Sequence, residues 1–346
     1  MEQNTGSVPK PTLSKLPVTE NSDKPMTSLT IWTNARLTEQ GRGLLAGATQ
    51  SHRLTFDEPS SEPTAGTRRQ AQEADIVFGQ PDPKDLIASA KLRWVHISTA
   101  GYSQYDTPDL RAALAARNIP LTKSSAVFCE PCAQHVMACL LAEARQLCQA
   151  YDQQLNNRSW QQLELRNGCQ LLENQTILIV GFGTIGNRLA ELLAPYPVRV
   201  LGLRRTPGPE SAIPVIGLGH LPEALSTADH VINILPESAS TEQFFNEERF
   251  SQMRPGSRYY SIGRGTTTDQ DALIEALRSA GLAAAYLDVT DPEPLPADHP
   301  LWSTPNCYIT PHIAGGHANE SVRLVRHFLD NLKRYEEGIP LIDRVQ

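Results

Sequence analysis

Six residues, GFGTIG from Gly181 to Gly186, stand directly between an unbroken apolar run, ILIV, and a stretch with helical apolar spacing, NRLAELLA. Few local patterns restrict a fold as strongly. A buried strand must end, turn within a few residues and enter a helix that packs back on it. Gly181 permits the tight turn, Gly183 leaves room for a ligand to reach the backbone, and Gly186 lets the helix lie close to the strand. The N-terminus of that helix offers unpaired N–H groups, a seat for a phosphate. The pattern implies a βαβ unit that binds a dinucleotide.

The next apolar run, VRVLGL, ends at Arg204 and Arg205. An Asp or Glu near this point would bind the ribose hydroxyls of NAD. Two cations followed by Thr206 instead suit the 2′-phosphate of NADP, through charge-assisted hydrogen bonds. The expectation is a preference for NADP(H), with NAD(H) as the alternative.

A length of 346 residues exceeds one hydrophobic core, so two units of roughly 100 to 200 residues are expected. The segment up to residue 26, rich in Pro, Ser, Thr, Asn and Lys without apolar periodicity, reads as a disordered tail. From Leu29 the runs LTIWT, ADIVFG and RWVHIS alternate with helical stretches, the mark of a parallel sheet with crossover helices. The residues from Ala133 to Tyr151 read as one long helix leading into the second unit. That unit continues after the glycine turn through VRVLGL, HVINILP, SRYYSIGR, AAAYLDV and CYITPH, the βα rhythm of a doubly wound sheet. A last helix, about Glu320 to Glu336, presents Val322, Val325, Phe328, Leu329 and Leu332 on one face and is expected to pack back on the first unit.

A formal net charge of -7 argues against a nucleic-acid partner, and no apolar run is seen to approach the ~20 residues that cross a bilayer. Six cysteines in a chain of this length do not suggest a disulfide framework, and the opening segment lacks a secretory pattern, so a cytoplasmic setting is expected. Cys129 and Cys132 form a CxxC without a second pair or spaced histidines, so no metal site is assigned. Cys139 and Cys148 read as small core residues.

Three further segments narrow the reading: SIGRGTTTDQDAL from Ser261, LDVTDPEPLPADHPLW from Leu287 and TPHIAGG from Thr310. Together with the glycine fingerprint, their order and spacing resemble the D-2-hydroxyacid dehydrogenase family over nearly all of the chain after the tail. The resemblance implies a catalytic trio of Arg264, Glu293 and His312, with Asp288 near the nicotinamide end of the cofactor. The chemistry suits the residue types. Reduction of a 2-keto acid puts negative charge on the carbonyl oxygen as hydride arrives, so a proton donor that works near neutrality must stand beside it, the task of His312. A carboxylate on the far ring nitrogen, Glu293, fixes the tautomer and steadies the ring's charge. Arg264 holds the substrate carboxylate or carbonyl in fixed geometry. The stretch HISTAGYSQYD resembles the family loop whose backbone N–H groups receive that carboxylate, which points to Thr99, Ala100 and Gly101. His96 reads as a strand residue, and His299 and His317 as polar loop residues.

The full cofactor set expected is Gly181, Gly183, Thr184, Ile185, Gly186, Arg204, Arg205, Thr206, Pro236 and Asp288. The fold expected is α/β: two Rossmann-like domains with doubly wound parallel sheets, the cofactor domain (126–315) inserted into a substrate domain (27–125 and 316–346). The crevice between them should hold the reaction and close on binding, hinged near Ser125 and Gly315. The resemblance also implies a homodimer through the cofactor domains, with the segment around Trp160 in the contact. Two departures concern substrate positioning rather than reaction class: Ser261 stands where the family commonly has Asn, and Gln134 where a Glu often precedes His. Glu293, where formate dehydrogenases carry Gln, weighs against formate. The function expected is hydride transfer between NAD(P)H and a small 2-keto or 2-hydroxy acid, of the glyoxylate or hydroxypyruvate reductase kind. The alternatives are a cofactor-sensing corepressor on the same fold, or another family reaction such as phosphite or phosphoglycerate oxidation.

Overall fold

The computed structural model describes residues 28–58, 64–156, 158–205 and 211–345. The tail to residue 26 and Thr206 lie outside the described residues. The chain first runs β1 (Thr30–Thr33), α1 (Glu39–Ala48), β2 (Arg53–Phe56), α2 (Ala65–Gln72), β3 (Ile76–Gly79), α3 (Pro83–Ala88), β4 (Trp94–Ile97), α4 (Pro108–Ala115), β5 (Leu121–Thr122) and α5 (Ser125–Ala144). It continues through α6 (Leu147–Asn156), α7 (Gln162–Gly168), β6 (Thr176–Val180), α8 (Thr184–Leu193), β7 (Arg199–Leu203), β8 (Val215–Ile216), α9 (Leu221–Thr227) and β9 (His230–Asn233). The last elements are α10 (Glu247–Gln252), β10 (Ser257–Ser261), α11 (Gln270–Arg278), β11 (Leu282–Leu287), β12 (Cys307–Ile309) and α12 (Glu320–Glu337).

Two parallel sheets result, β2-β1-β3-β4-β5 and β12-β11-β10-β9-β6-β7-β8. In each, the chain steps outward from the first strand and then crosses back to its other side, from β2 to β3 and from β8 to β9. That reversal makes the sheets doubly wound, as the sequence led us to expect. Every residue of β3, β4 and β9 is buried. Helices on both faces explain why these strands read as continuous apolar runs rather than alternating ones. Helix starts follow side-chain caps: Thr38, Thr64, Thr107, Asn246 and Asp269 each accept a first-turn N–H.

Helix α12 returns to the first sheet, where Leu324, Val325, Phe328 and Leu332 pack with Ile31, Ile76, Phe78 and Trp94. The Phe328 ring stacks on Phe78 at 4.5 Å and on Trp94 at 5.2 Å. The buried stripe is rotated from the one read in sequence: Leu324 is in the core and Val322 only partly covered. The cause is the seat of Ser321 against α1, where Gly41 leaves room for its Oγ and the Thr38 N–H donates to it at 3.0 Å. The helix ends at Gly338, in the left-handed region at φ 68°.

The helix expected from Ala133 to Tyr151 is two helices. It starts earlier, because Pro131 lies inside α5 rather than ahead of it, and it breaks at Gln146, with φ 56°. Buried Glu143 ties the end of α5 to the second sheet, accepting from Arg258 Nε at 3.1 Å and from the Tyr286 hydroxyl at 2.9 Å. Helix α6 turns away with none of its residues buried. Helix α5 also corrects the reading of apolar runs: at 20 residues it is, among the described residues, long and apolar enough by length and composition to cross a bilayer. Glu130, Gln134 and His135 interrupt its apolar letters in sequence. Here Ala133, Val136 and Leu140 join a core with Leu189 and Leu193 of α8. Cys139 and Cys148 pack against that core, and burial pushes the Cys139 thiol up to about 12. His96 is a structural strand residue, fully buried, with its ring nitrogens on Thr122 Oγ1 (2.7 Å) and Ser124 Oγ (3.2 Å).

Candidate active site

Strands β10, β11 and β12 are neighbours in the second sheet, and their carboxyl ends present the residues singled out by the sequence. Arg264 follows β10, Asp288 follows β11 directly, and His312 follows β12. Gly265 brings two of these loops together. A Cβ there would lie 1.9 Å from the Thr290 carbonyl oxygen, so the turn after Arg264 rests on the backbone that leads to Glu293.

His312 Nδ1 is 2.7 Å from Glu293 Oε2, and Glu293 Oε1 accepts the Thr290 N–H at 3.2 Å. Nε2 of His312 has no hydrogen-bond partner among the described residues, and the side chain is 49% exposed, open enough for a substrate to reach. The His312 backbone is left-handed, at φ 52°, a conformation that non-glycine residues hold only when their surroundings impose it. Asp288 imposes it. Its carbonyl accepts the His312 N–H at 2.8 Å. Its buried carboxylate accepts from Thr310 Oγ1 (2.6 Å), Ile313 N–H (2.9 Å) and Ala314 N–H (2.9 Å). The Thr310 hydroxyl also lies 3.4 Å from His135 Nε2.

Arg264 donates from Nη1 to the Gly263 carbonyl at 2.7 Å and has no carboxylate partner among the described residues. Against it lies the loop from the first sheet: a Cβ on Gly101 would sit 1.8 Å from Arg264 Nη2, so any larger residue there would displace the guanidinium. The loop is braced from behind. Thr99 Oγ1 donates to the Gly101 carbonyl at 2.7 Å, and Gln80 Nε2 donates to Thr99 Oγ1 at 3.1 Å and to Ser98 Oγ at 3.2 Å. Ala100, half-buried, lies between them. Across the same crevice Ser103 Oγ donates to the Glu237 carbonyl at 3.1 Å.

The glycine turn has the geometry a dinucleotide requires. Gly181 sits at φ 92°, with a Cβ position 2.7 Å from the Ile234 carbonyl oxygen. Around Gly183 the nearest atom to an added Cβ is 3.9 Å away, so a ligand can reach its backbone. A Cβ on Gly186 would lie 3.0 Å from the Phe182 ring and 3.2 Å from Ile179 Cγ2, so the helix comes close to the strand here. Helix α8 is preceded by Gly183, which has no side chain to cap it, so the N–H groups of Thr184 and Ile185 remain for an anion. Arg204 lies over the Phe182 ring at 5.5 Å and its Nε donates to the Phe182 carbonyl, which seats the cation against this turn; Arg205 is exposed. Pro236 is exposed just beyond β9, its carbonyl taken by the Thr241 hydroxyl at 2.6 Å.

Two supports escaped the sequence reading. Asn233, buried at the end of β9, donates to Tyr259 Oη and Thr267 Oγ1, each at 2.8 Å, and so shapes the turn after Arg264. A polar residue closing the apolar run HVIN was its signal. Thr310 was passed over because its role exists only once Asp288 is beside it. His299 and His317 each accept a neighbouring backbone N–H, from Leu301 and Asn319, as loop residues do.

Residues 137–314 match the family model described as D-isomer specific 2-hydroxyacid dehydrogenase, NAD binding domain. A Glyoxylate reductase/hydroxypyruvate reductase from Homo sapiens is 29% identical over 84% of this chain and 89% of its own length. A Glyoxylate/hydroxypyruvate reductase B from Citrobacter koseri is 31% identical over 70% of this chain and 74% of its own. Among solved structures, a D-isomer specific 2-hydroxyacid dehydrogenase family protein from Aeromonas salmonicida is similar with TM-score 0.74 and 28% identity, covering 92% of this chain and 99% of that one. On these findings the chain belongs to the D-isomer specific 2-hydroxyacid dehydrogenases, NAD(P)-dependent oxidoreductases that move a hydride between the nicotinamide cofactor and a small 2-keto or 2-hydroxy acid.

Proposed function

We propose that the chain reduces a 2-keto acid of the size of glyoxylate or hydroxypyruvate, with NADPH preferred over NADH. The observation that carries this reading is the His312–Glu293 pair at the strand ends it shares with Arg264, a guanidinium without a carboxylate of its own. Arg264 and the N–H groups of the Thr99–Gly101 loop take the substrate carboxylate, and this aims the keto group at His312. The cofactor, when bound, supplies the hydride to the carbonyl carbon. His312 gives its Nε2 proton to the carbonyl oxygen as the C–O double bond becomes single, while Glu293 keeps Nδ1–H hydrogen-bonded and the ring in one orientation. Asp288 holds the loop that presents His312, and through it serves the nicotinamide end of the site.

The cofactor is seated by Gly181, Gly183, Thr184, Ile185 and Gly186, flanked by Pro236. Arg204 and Arg205 take its 2′-phosphate, as does Thr206 on the reading of the sequence, and the position of Arg204 against the glycine turn supports this. A panel of 2-keto acids run with NADPH and NADH tests both parts. Glyoxylate or hydroxypyruvate should give the highest kcat/KM, and Arg204→Ala should raise KM for NADPH about tenfold with little change for NADH. Equal losses with both cofactors would reject the 2′-phosphate role. Turnover with no keto acid would reject the reaction.

The substrate domain comprises 27–125 and 316–346 and the cofactor domain 126–315, hinged near Ser125 and Gly315. The protein works in the cytoplasm as a homodimer. The dimer is supported by an apolar strip of Leu147, Tyr151, Leu155, Leu163 and Trp160, the last 91% exposed, too much for a face left to water. Sedimentation should show a dimer that Trp160→Asp shifts to monomer; a wild-type monomer would reject the strip as an interface.

A further inference from the structure

Of the three polar residues that interrupt the apolar letters of α5, two are accounted for by each other and by the next helix. Gln134 Nε2 donates to Glu130 Oε1, and Glu130 Oε2 accepts from Arg188 Nε of α8, each at 2.5 Å. His135 serves a different neighbour. Phe128, Cys132, His135 and Cys139 recur at helical spacing and so share one face of α5. The loop that presents His312 rests on that face: a Cβ on Gly315 would lie 3.0 Å from Phe128 Cδ1 and 3.8 Å from Cys132 Sγ, and Ala314 shares a core with Cys132. His135 is the polar member of an otherwise apolar floor, placed under the one stretch of the loop that has polar atoms to meet it.

His135 Nε2 lies 3.4 Å from Thr310 Oγ1 and 3.9 Å from Asp288 Oδ1. A count of protons fixes the direction of the first contact. The Thr310 hydroxyl has one proton, and its 2.6 Å bond to Asp288 Oδ1 takes it. That oxygen has only lone pairs left, so its hydrogen bond with His135 requires the imidazole proton to sit on Nε2. The second contact answers a need of Asp288, whose side chain is 1% exposed. Among the described residues no Lys or Arg stands at ion-pair distance from this carboxylate, and the basic group that does is His135. A buried carboxylate is costly without such a partner.

We infer that His135 is a positioning residue for the reaction, acting on His312 through Thr310 and Asp288. Its Nε2–H occupies a lone pair of the Thr310 hydroxyl and so keeps that hydroxyl aimed at Oδ1. The carboxylate, fixed in this way, holds the N–H groups of Ile313 and Ala314, and these bonds impose the left-handed backbone of His312. Without the donor the hydroxyl is free to rotate, and the loop loses one of the bonds that define its seat. A proton donor displaced by a fraction of an ångström transfers its proton more slowly, although substrate and cofactor still bind. The inference rests on the part given to His312 above.

His135→Leu, which keeps bulk on the floor but offers no donor, should lower kcat about tenfold while KM for the keto acid and for NADPH each stay within about twofold. His135→Gln, whose side-chain N–H falls where Nε2–H was, should bring kcat back to within about threefold of the wild type. Full kcat in the Leu variant, or a Gln variant as slow as the Leu one, would overturn the assignment. In a Thr310→Val background, where no hydroxyl remains to be aimed, His135→Leu should cost nothing more; additive losses would overturn the route through Thr310. A second readout needs no turnover. In the full-length protein labelled at histidine, the ring-nitrogen magnetic resonance signals of His312 should shift in His135→Leu and return in His135→Gln, and signals unmoved in the Leu variant would overturn the link. The same shifts in a protein that reduces no 2-keto acid would refute the catalytic reading and leave the link between His135 and His312 standing.

Discussion

Replacing His312 by Asn should lower kcat for keto-acid reduction about a thousandfold while KM for NADPH stays within about twofold, since positioned proton transfer contributes roughly 10² to 10⁴ in rate. Asn keeps the side chain's approximate bulk and a hydrogen-bonding group for Glu293, but it has no proton to give the developing alkoxide. The loss corresponds to about 4 kcal/mol of transition-state stabilisation. The fold should hold, because the side chain is half exposed and its loop is fixed by Asp288 through Thr310, Ile313 and Ala314 rather than by the imidazole. Steady-state kinetics with both substrates varied separates the two parameters. A fall in cofactor affinity with kcat intact would place His312 at the nucleotide and not at the carbonyl.

Arg264→Ala should reduce kcat/KM for the keto acid by roughly a thousandfold, the value of two charge-assisted hydrogen bonds at about 1.5 to 3 kcal/mol each. Arg264→Lys should recover little of it, because a point charge on a flexible stem does not reproduce the planar fork. Neither change should move the unfolding midpoint much, as the guanidinium has no ion pair among the described residues and makes one hydrogen bond, to the Gly263 carbonyl. Gly101→Ala gives an independent view of the same contact. Its Cβ would fall 1.8 Å from Nη2, so guanidinium or loop must yield although no charge is removed. Kinetics beside urea unfolding distinguishes the cases: a parallel loss of stability and activity in Arg264→Ala would make the residue structural.

The features legible in sequence were those in which a local rule and the global fold demand the same residue. The GFGTIG turn is one, because Gly181, left-handed and against the Ile234 backbone, excludes a side chain, and Gly186 leaves a side chain little room beside Phe182. The buried runs of β3, β4 and β9 are another, since strands covered on both faces tolerate little polarity. The trio was legible through its motifs, whereas the geometry that holds it was not. Asp288 bonds residues 22 to 26 positions away, and Gln80 braces Thr99 from 19 positions away, contacts no periodicity encodes. The break at Gln146 was hidden for a similar reason. The letters on either side favour a helix, and it is the tie of Glu143 to Arg258 and Tyr286, on strands far along the chain, that fixes where α5 stops.

Reduction of hydroxypyruvate with NADPH carrying deuterium at both C4 positions of the nicotinamide, followed by mass and chiral analysis of the product, tests the central claim most directly. The account predicts a D-2-hydroxy acid with one deuterium on C2, and none in the His312→Asn control beyond its residual rate. A product without label at C2, or label in the L enantiomer, would contradict it.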